Sequence, residues 1–585
     1  MTKTMRSIRI FILALGIIMS ASMVSCKKLL DTEPGEVLGD GQMYRNVYDA
    51  DAAVIGIYGK FMGLASKYTI LNELRGDLLD VTPNSDRYLN QLNSFSVQEG
   101  NPYADPRPFY EVILYCNDAM KNFKRMLDEG KLKQSEFDTR YSDIGALRSW
   151  IYLQLGIQYG EVPYVTEPIE KIDDLKNEAL FPRLSFGQLL DQLIVFMEAL
   201  PFKNDYPSGT TLLTSVDSYS TTKFFINKQM VLGDLHLWKG DYNAAARSYR
   251  AVLEYATSNY ASGTDQYYEV YRMTYSYITG ANWTNIFVQP YGERYSNYEN
   301  IWMLPFDKNF KPENPFISLL ANSGGGKYQV SPSALAINDW DSQMRSDATP
   351  YDLRGRGASW TFDNSKPVVK KQIAAYNSQT PFEKNGKWIL YRAGALHLRF
   401  AEAANRDHQN KIAYAFLNNG IAGSFDRTPG VANRDVTNMM NSLDYPEPYN
   451  FDARNGDFPR FRSDWYRHTG IRNRAGVAQS AIAKSDSARF FDMSNPDWYT
   501  REVTDHHGLA LFLEDRIVEE GALELAFEGY RWPDLLRVAL RREKEAPGTG
   551  VTFLQSKINA KFAAKGIPAP DLSNKAKWYL PFKWN

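Results

Sequence analysis

Several short stretches of this 585-residue chain carry residue types that do chemistry elsewhere. His506-His507 sets two imidazoles side by side, as a metal site would need. No further ligand lies nearby, and neither a His-Glu-x-x-His nor a Cys-x-x-Cys pattern occurs, so a solvated turn is expected there. Ser323-Gly-Gly-Gly-Lys327 has the look of a phosphate loop. It lacks the first glycine, and Tyr328 stands where a magnesium-binding hydroxyl belongs, so the match fails. Asp339-x-Asp341 opens like a calcium loop but misses the glycine and the closing glutamate. Glu519 and Glu520 are adjacent, about 100° apart on a helix, and cannot face each other as acid and base. No Gly-x-Ser-x-Gly nucleophile turn is present. The expectation is a protein without catalytic residues, metal or cofactor.

The remaining chemistry is at the start. Lys3, Arg6 and Arg9 precede an apolar run, Ile10 to Met19, and then Met23-Val24-Ser25-Cys26. A positive start, a short apolar core and small residues form an export signal over residues 1–25. The run is too short to span a membrane stably. The Val-Ser-Cys ending resembles a bacterial lipobox. That resemblance implies a mature chain that begins at Cys26, with the thiol carrying lipid and several acyl chains giving a stable anchor. Residues 26–41, polar with Pro34 and Gly35, read as a tether.

Composition narrows the function further. The leader holds those three cations and no acid, so its removal takes the formal net charge from −1 to −4. That balance leaves no basic footprint for nucleic acid. The chain has two cysteines; with Cys26 lipidated, Cys116 stands alone and no internal disulfide forms. The aromatic content is high, at 37 Tyr, 31 Phe and 12 Trp. Many of these rings must build the core, but rings in polar, loop-like stretches are available to stack on flat apolar ligand faces.

Helices must position whatever site exists. Helical spacing of apolar residues appears over Tyr48–Met62, Pro108–Leu127, Ile144–Tyr159 and Ser185–Leu200, and again over Ala393–Asn405 and Glu514–Phe527. The clearest local pattern runs from Leu232-Gly233 through Gly240-Asp-Tyr242 to Ala245 and Tyr249. It resembles a tetratricopeptide unit: small residues where two helices approach closely, and a glycine at the turn. One such unit cannot bury its face alone, so others must stack on it. From about Tyr260 to Asn385, Gly, Asn, Ser, Pro and Tyr dominate and periodicity fades, which predicts loops and short strands. A stretch that long without periodicity points to function. The fold class expected is mainly α: tetratricopeptide-like helix pairs over about 42–258, an irregular ligand-binding part over about 260–390, and a helical part over about 391–585, all one domain.

Binding aromatics are expected in the polar, irregular segments. Pro83 to Tyr88 supplies Arg87 and Tyr88, and Tyr103 follows among Gly, Asn and Pro. Asn282 to Tyr295 supplies Trp283, Asn285, Tyr291, Arg294 and Tyr295.

Several stretches, in order along the mature chain, resemble the SusD/RagB family of Bacteroidetes outer-membrane lipoproteins. Cys26-Lys-Lys-Leu-Leu-Asp31-Thr-Glu-Pro34 is similar to its lipidated opening. Phe109-Tyr110 through Cys116-Asn117 and Arg148 through Gly160-Glu-Val162-Pro163 resemble its early helices, and Glu299-Asn-Ile301 its Glu-x-Ile strand. Leu398-Arg-Phe-Ala401-Glu402-Ala403-Ala-Asn405 is close to its Leu-Arg-Tyr-Ala-Glu-Ala-x-Asn helix. Glu519-Glu520, Glu524, Glu528-Gly529-Tyr530-Arg531, Asp534-Leu535 and Arg537 resemble its late signature, with Gly521 departing from the usual Glu-Arg. Trp578-Tyr-Leu-Pro581 resembles its Leu-Pro-Ile-Pro ending. Arg531 and Asp534 are expected to be partners in a structural ion network.

The resemblance implies non-catalytic capture of a glycan at the cell surface and its delivery to a SusC-like TonB-dependent transporter, on which the lipid-anchored protein acts as a hinged lid. It also implies a ligand site drawn from an early loop and the irregular middle of the chain. The alternatives are a peptide-binding RagB-like uptake protein and, from another class, an exported all-helical glycoside hydrolase with two carboxylates across a cleft.

Overall fold

The apolar periodicity of the first half becomes a stack of helices. The computed structural model describes residues 43–169, 178–217, 219–255, 280–288, 299–425, 445–451, 465, 468–495 and 501–583. Cys26 and the tether therefore lie outside the described residues, as do Tyr291, Arg294 and Tyr295.

Asn46 opens the first helix, Val47–Met62, its side chain accepting the amides of Tyr48 and Asp49. The helix Arg107–Asp128 buries Phe109, Val112, Ile113, Cys116, Ala119, Met120 and Phe123, a stripe with helical period. Its partner, Gln134–Tyr159, is buried at every position from Ser142 onward, so it is the central rod of this half. That helix begins ten residues before the periodic stretch predicts, because its first turns are polar and Glu136 caps the Lys133 amide. Phe186–Glu198 begins with a capping box in which Gln188 accepts both the amide and the hydroxyl of Ser185.

The tetratricopeptide-like pair forms as expected, over Lys228–Lys239 and Tyr242–Tyr255. Gly240 closes the first helix at φ +95°, a left-handed conformation that favours glycine. Gly233 is needed for a different reason: a Cβ there would sit 2.5 Å from Cε1 of Tyr249. Tyr249 and Tyr391 both donate to Asp234, at 2.6 and 2.8 Å, so one carboxylate ties the helix pair to a strand of the irregular region. Further pairs follow, Ala393–Arg406 with Asn410–Leu417 and Arg531–Glu545 with Thr549–Ala563. The architecture is a mainly α scaffold of such pairs.

The sheets are small. Among the described residues there are five, each of two strands. The longest pairs Asn300–Asp307 with Lys384–Arg392, antiparallel, with Trp388 opposite Leu304. Trp302 and Trp388 stack on Phe61 of the first helix at 5.5 and 4.8 Å, which fixes this sheet to the scaffold. Leu79–Val81 pairs with Val330–Pro332, and Trp360–Asp363 with Lys366–Val369. The irregular region is less irregular than expected, since Gly280–Val288, Pro315–Leu320 and Ala334–Asp341 are helical.

A buried ion network locks the late helices to the sheet. Arg392 pairs with Glu299, Glu524 and Glu528 at 2.7–2.8 Å, and Arg354 with Asp352, Glu520 and Glu524 at 2.7 Å. Burial alone would raise the Glu524 carboxyl, but Arg392, Arg354 and Arg474 together hold it well below the usual carboxylate range. Glu519 and Glu520 do part company: Glu520 is buried in this network, and Glu519 is half exposed beside Arg516. Arg531 pairs with Asp77, and Asp534 with Arg399 and Arg537, as the structural reading of those residues anticipates.

Candidate functional site

The early polar loop is organised from Asp86. Its carboxylate accepts the amides of Tyr88 and Leu89 and starts the helix Arg87–Asn93. Arg87 and Tyr88 are thereby held at the first turn. The Arg87 guanidinium donates to the Tyr88 hydroxyl at 2.6 Å and lies 4.6 Å from the ring centroid. Asn101 joins Tyr103 to this pair: its Nδ2 donates to Tyr88 O at 3.0 Å, and its Oδ1 accepts the Tyr103 amide at 3.0 Å. Burial, reinforced by Asp86, pushes the Tyr103 phenol up to about 12, so it stays protonated at neutral pH. Arg87, Tyr88 and Tyr103 therefore share one patch.

That patch abuts the glycine-rich stretch. Thr82 donates to Tyr328 O, Ser85 to Gln329 O, and Asn84 to Lys327 O at 3.1 Å. The stretch is a turn, not a cradle at a helix start. Asp363 accepts the Asn322 amide at 3.0 Å and the Ser323 hydroxyl at 2.8 Å, and Tyr376 donates to Ser323 O and Gly324 O. At Gly324 a side chain would run into Ser378 O. One exposed ring contacts the turn and a second stands on the neighbouring hairpin. Phe382 lies over Gly325 and is 37% exposed. Phe362, on the hairpin Trp360–Val369, is 49% exposed, with the Arg356 guanidinium 5.1 Å from its centroid. Exposed rings with polar groups nearby suit a ligand with apolar faces and polar edges.

Trp283 is elsewhere, and the expectation for it needs correcting. It is fully buried, its Nε1 donating to Ser359 Oγ at 3.2 Å. Lys371, Arg392 and Arg474 surround its ring at 5.0–5.8 Å. Trp283, Ile286 and Phe287 form one helix face packed on the long sheet. That i, i+3, i+4 spacing is visible in the sequence, but the interleaved Asn282, Thr284 and Asn285 give the segment the look of a loop. Asn285 goes with that helix and is half-buried. Phe362, Phe382 and Arg356 escape the sequence reading. The first two satisfy the same criterion, a ring within a polar aperiodic stretch, as Thr361-Phe362-Asp363-Asn364-Ser365 shows.

The other features do not build a competing site. His506 and His507 are exposed, as expected, although they begin the helix His506–Glu524 instead of forming a turn. Asp339 and Asp341 end the helix Ala334–Asp341. Among the described residues no group of three or more His, Cys, Asp or Glu side chains could hold a metal. A hollow of about 590 Å³ lies between the last three long helices, but its Arg542 is already committed to Glu514 and Asp515.

No family model matches the chain. The "SusD-like protein P38" of Formosa agariphila is 21% identical over 540 residues, covering 90% of this chain and 91% of that one. A SusD superfamily protein of Bacteroides thetaiotaomicron superposes with a TM-score of 0.57 at 17% identity, over 92% of this chain and 96% of the other. The chain has the fold of the SusD superfamily structures. Surface glycan-binding protein A of the same organism, solved in complex with laminarihexaose, matches with a TM-score of 0.52 at 14% identity, over 91% of this chain and 95% of that one. In this chain the residues that carried the resemblance turn out to build the scaffold. Glu402 is paired with Arg537, Arg399 with Asp534, and Glu524 and Glu528 with Arg392.

Proposed function

We propose that this chain is a cell-surface glycan-binding lipoprotein that captures an oligo- or polysaccharide and delivers it to a partner TonB-dependent, SusC-like transporter. The observation that carries the reading is the open face at the glycine turn. Phe382 presents ring surface there, Phe362 and the half-buried Tyr88 stand on the two segments that bond to the turn, and Asn84, Arg87 and Asn364 on those segments add donors and acceptors. Sugars offer apolar ring faces and hydroxyl edges, and such a face meets both needs without any titrating acid/base pair. The laminarihexaose bound by a SusD-fold relative supports the ligand class.

The lipid on Cys26 and the outer-membrane location rest on the export signal and the Val24-Ser25-Cys26 ending. No helix among the described residues is long and apolar enough to cross a membrane. A glycan array, followed by calorimetry on Tyr88→Ala and Phe362→Ala, tests the capture reading. Binding lost in both variants with unchanged melting supports it; wild-type affinity in both sinks this face. Chromatography of the incubated glycans tests the hydrolase alternative, and a peptide panel tests the RagB-like one. Cys26→Ala should release the protein from membranes when its transporter is absent.

A further inference from the structure

We infer that the glycan taken at this face is anionic, carrying sulfate esters or uronate carboxylates. The inference rests on the capture reading above and adds a charge requirement to it. Four exposed cations, Arg87, Lys327, Arg356 and Lys366, belong to the segments that meet at the glycine turn. Their placement is tied to the turn by bonds already described. Lys327 O is held by Asn84, three residues before Arg87. Lys366 is paired across its hairpin with Asp363, whose carboxylate grips Asn322 and Ser323. Arg356 reaches Phe362 on the same hairpin.

None of the four has a carboxylate within ion-pair distance among the described residues. Exposed cations on other faces commonly do, as in Lys60–Glu111, Arg183–Glu161, Lys239–Asp191 and Lys583–Glu99. The acids nearest the turn are engaged. Asp86 accepts the Tyr88 and Leu89 amides, and Asp363 accepts Asn322 and Ser323. Glu383, exposed beside Phe382, has no ion-pair partner among the described residues.

The chain as a whole is slightly acidic, so this cluster runs against its net charge. Two of the cations are also pre-positioned by aromatic rings in place of acids, Arg87 over Tyr88 and Arg356 over Phe362. Arg87 spends one donor on the Tyr88 hydroxyl, and the remaining donors of each guanidinium can serve an oxyanion. A neutral sugar needs stacking and hydroxyl partners only; exposed cations without an ion-pair partner on these segments add recognition of negative charge.

The test is calorimetry with alginate oligosaccharides as uronate probes, carrageenan oligosaccharides as sulfate probes and laminarin oligosaccharides as neutral probes. The wild type is expected to bind at least one anionic class at least tenfold more tightly than the neutral one. That affinity should fall steeply as salt rises, because exposed charges are screened. Arg87→Gln combined with Arg356→Gln should lower anionic binding at least tenfold, while Arg87→Lys with Arg356→Lys retains part of it; melting stays unchanged in both. Which anionic probe responds separates sulfate from uronate. Neutral glycans bound as tightly as anionic ones, or an indifferent glutamine double variant, would overturn the charge requirement and leave glycan capture standing. Absence of binding to every probe would overturn both.

Discussion

An arginine lies over an aromatic ring in two regions of this molecule, with opposite consequences. Arg392 stands 5.0 Å from the Trp283 centroid, and Arg87 stands 4.6 Å from that of Tyr88. The contact is nearly the same; the surroundings are not. Arg392 is buried and its donors are used up by Glu299, Glu524 and Glu528. Arg87 is exposed and donates to one phenol. Burial turns the first into a joint of the scaffold. Exposure leaves the second with unused donors and a ring beside open solvent. A motif of residue types therefore does not separate structure from recognition; the accounting of partners does.

The largest effect expected on this comparison is at its buried end. Arg392→Ala would strand Glu524 and Glu528 without their main partner, and breaking a buried pair in this way costs about 3–5 kcal/mol. Urea unfolding should show it as a large drop in midpoint. An unchanged midpoint would mean that the remaining cations take over and the joint is redundant. Trp283→Ala should cost about 3–5 kcal/mol as well, as for other large core truncations. Its decisive readout is glycan affinity, which should stay at the wild-type level in the protein that remains folded.

Gly233→Leu probes the scaffold away from any ion. Overpacking against Tyr249 should cost about 1–3 kcal/mol, read from the thermal melt; no shift would deny the close approach seen there. Acid should also discriminate between the regions. Glu299, Glu402, Glu514 and Glu524 are each pushed up by burial, but arginines outweigh it and hold all of them below the usual range. Their unfolded forms titrate near pH 4.3 or so. Below that, the unfolded chain binds more protons, so the stability these groups contribute is present at neutral pH and lost as pH falls through the folded values. A urea midpoint that declines below about pH 5 is expected; a profile that stays flat from there down to pH 3 would contradict the ion network. The smallest effect on stability belongs to the exposed end. Tyr88→Ala should leave melting within about 0.5 kcal/mol of wild type yet remove about 1–3 kcal/mol of glycan affinity, on the scale of ring stacking elsewhere.

The sequence made the scaffold readable wherever burial follows a local period. The stripe of Arg107–Asp128 and the Gly233, Gly240 and Tyr249 arrangement were legible because their signals lie within one or two helical turns. The ion network was not legible from spacing, since Arg392 and Glu524 are 132 residues apart; only family resemblance pointed to its members. The proposed site is only partly legible. Polar context around a ring singles out Tyr88 as a candidate, but it misplaces Trp283, whose solvent-like neighbours Thr284 and Asn285 sit on the other side of the same helix. The meeting of Asn84 with Lys327 spans 243 residues and has no local trace, so the partner rings Phe362 and Phe382 could not be joined to Tyr88 before the fold was known.

Cys116 offers a last consequence. It sits in the apolar stripe of Arg107–Asp128 with no exposed surface, and burial pushes its thiol up to about 12 despite the pull of Arg148. A preparation beginning after residue 26 would hold that single sulfhydryl. Thiolate is the reactive form, so a chromogenic disulfide reagent would find almost nothing to attack in the closed molecule. The slow appearance of colour under native conditions would then count openings of the helical core, one event per molecule, with no engineered label.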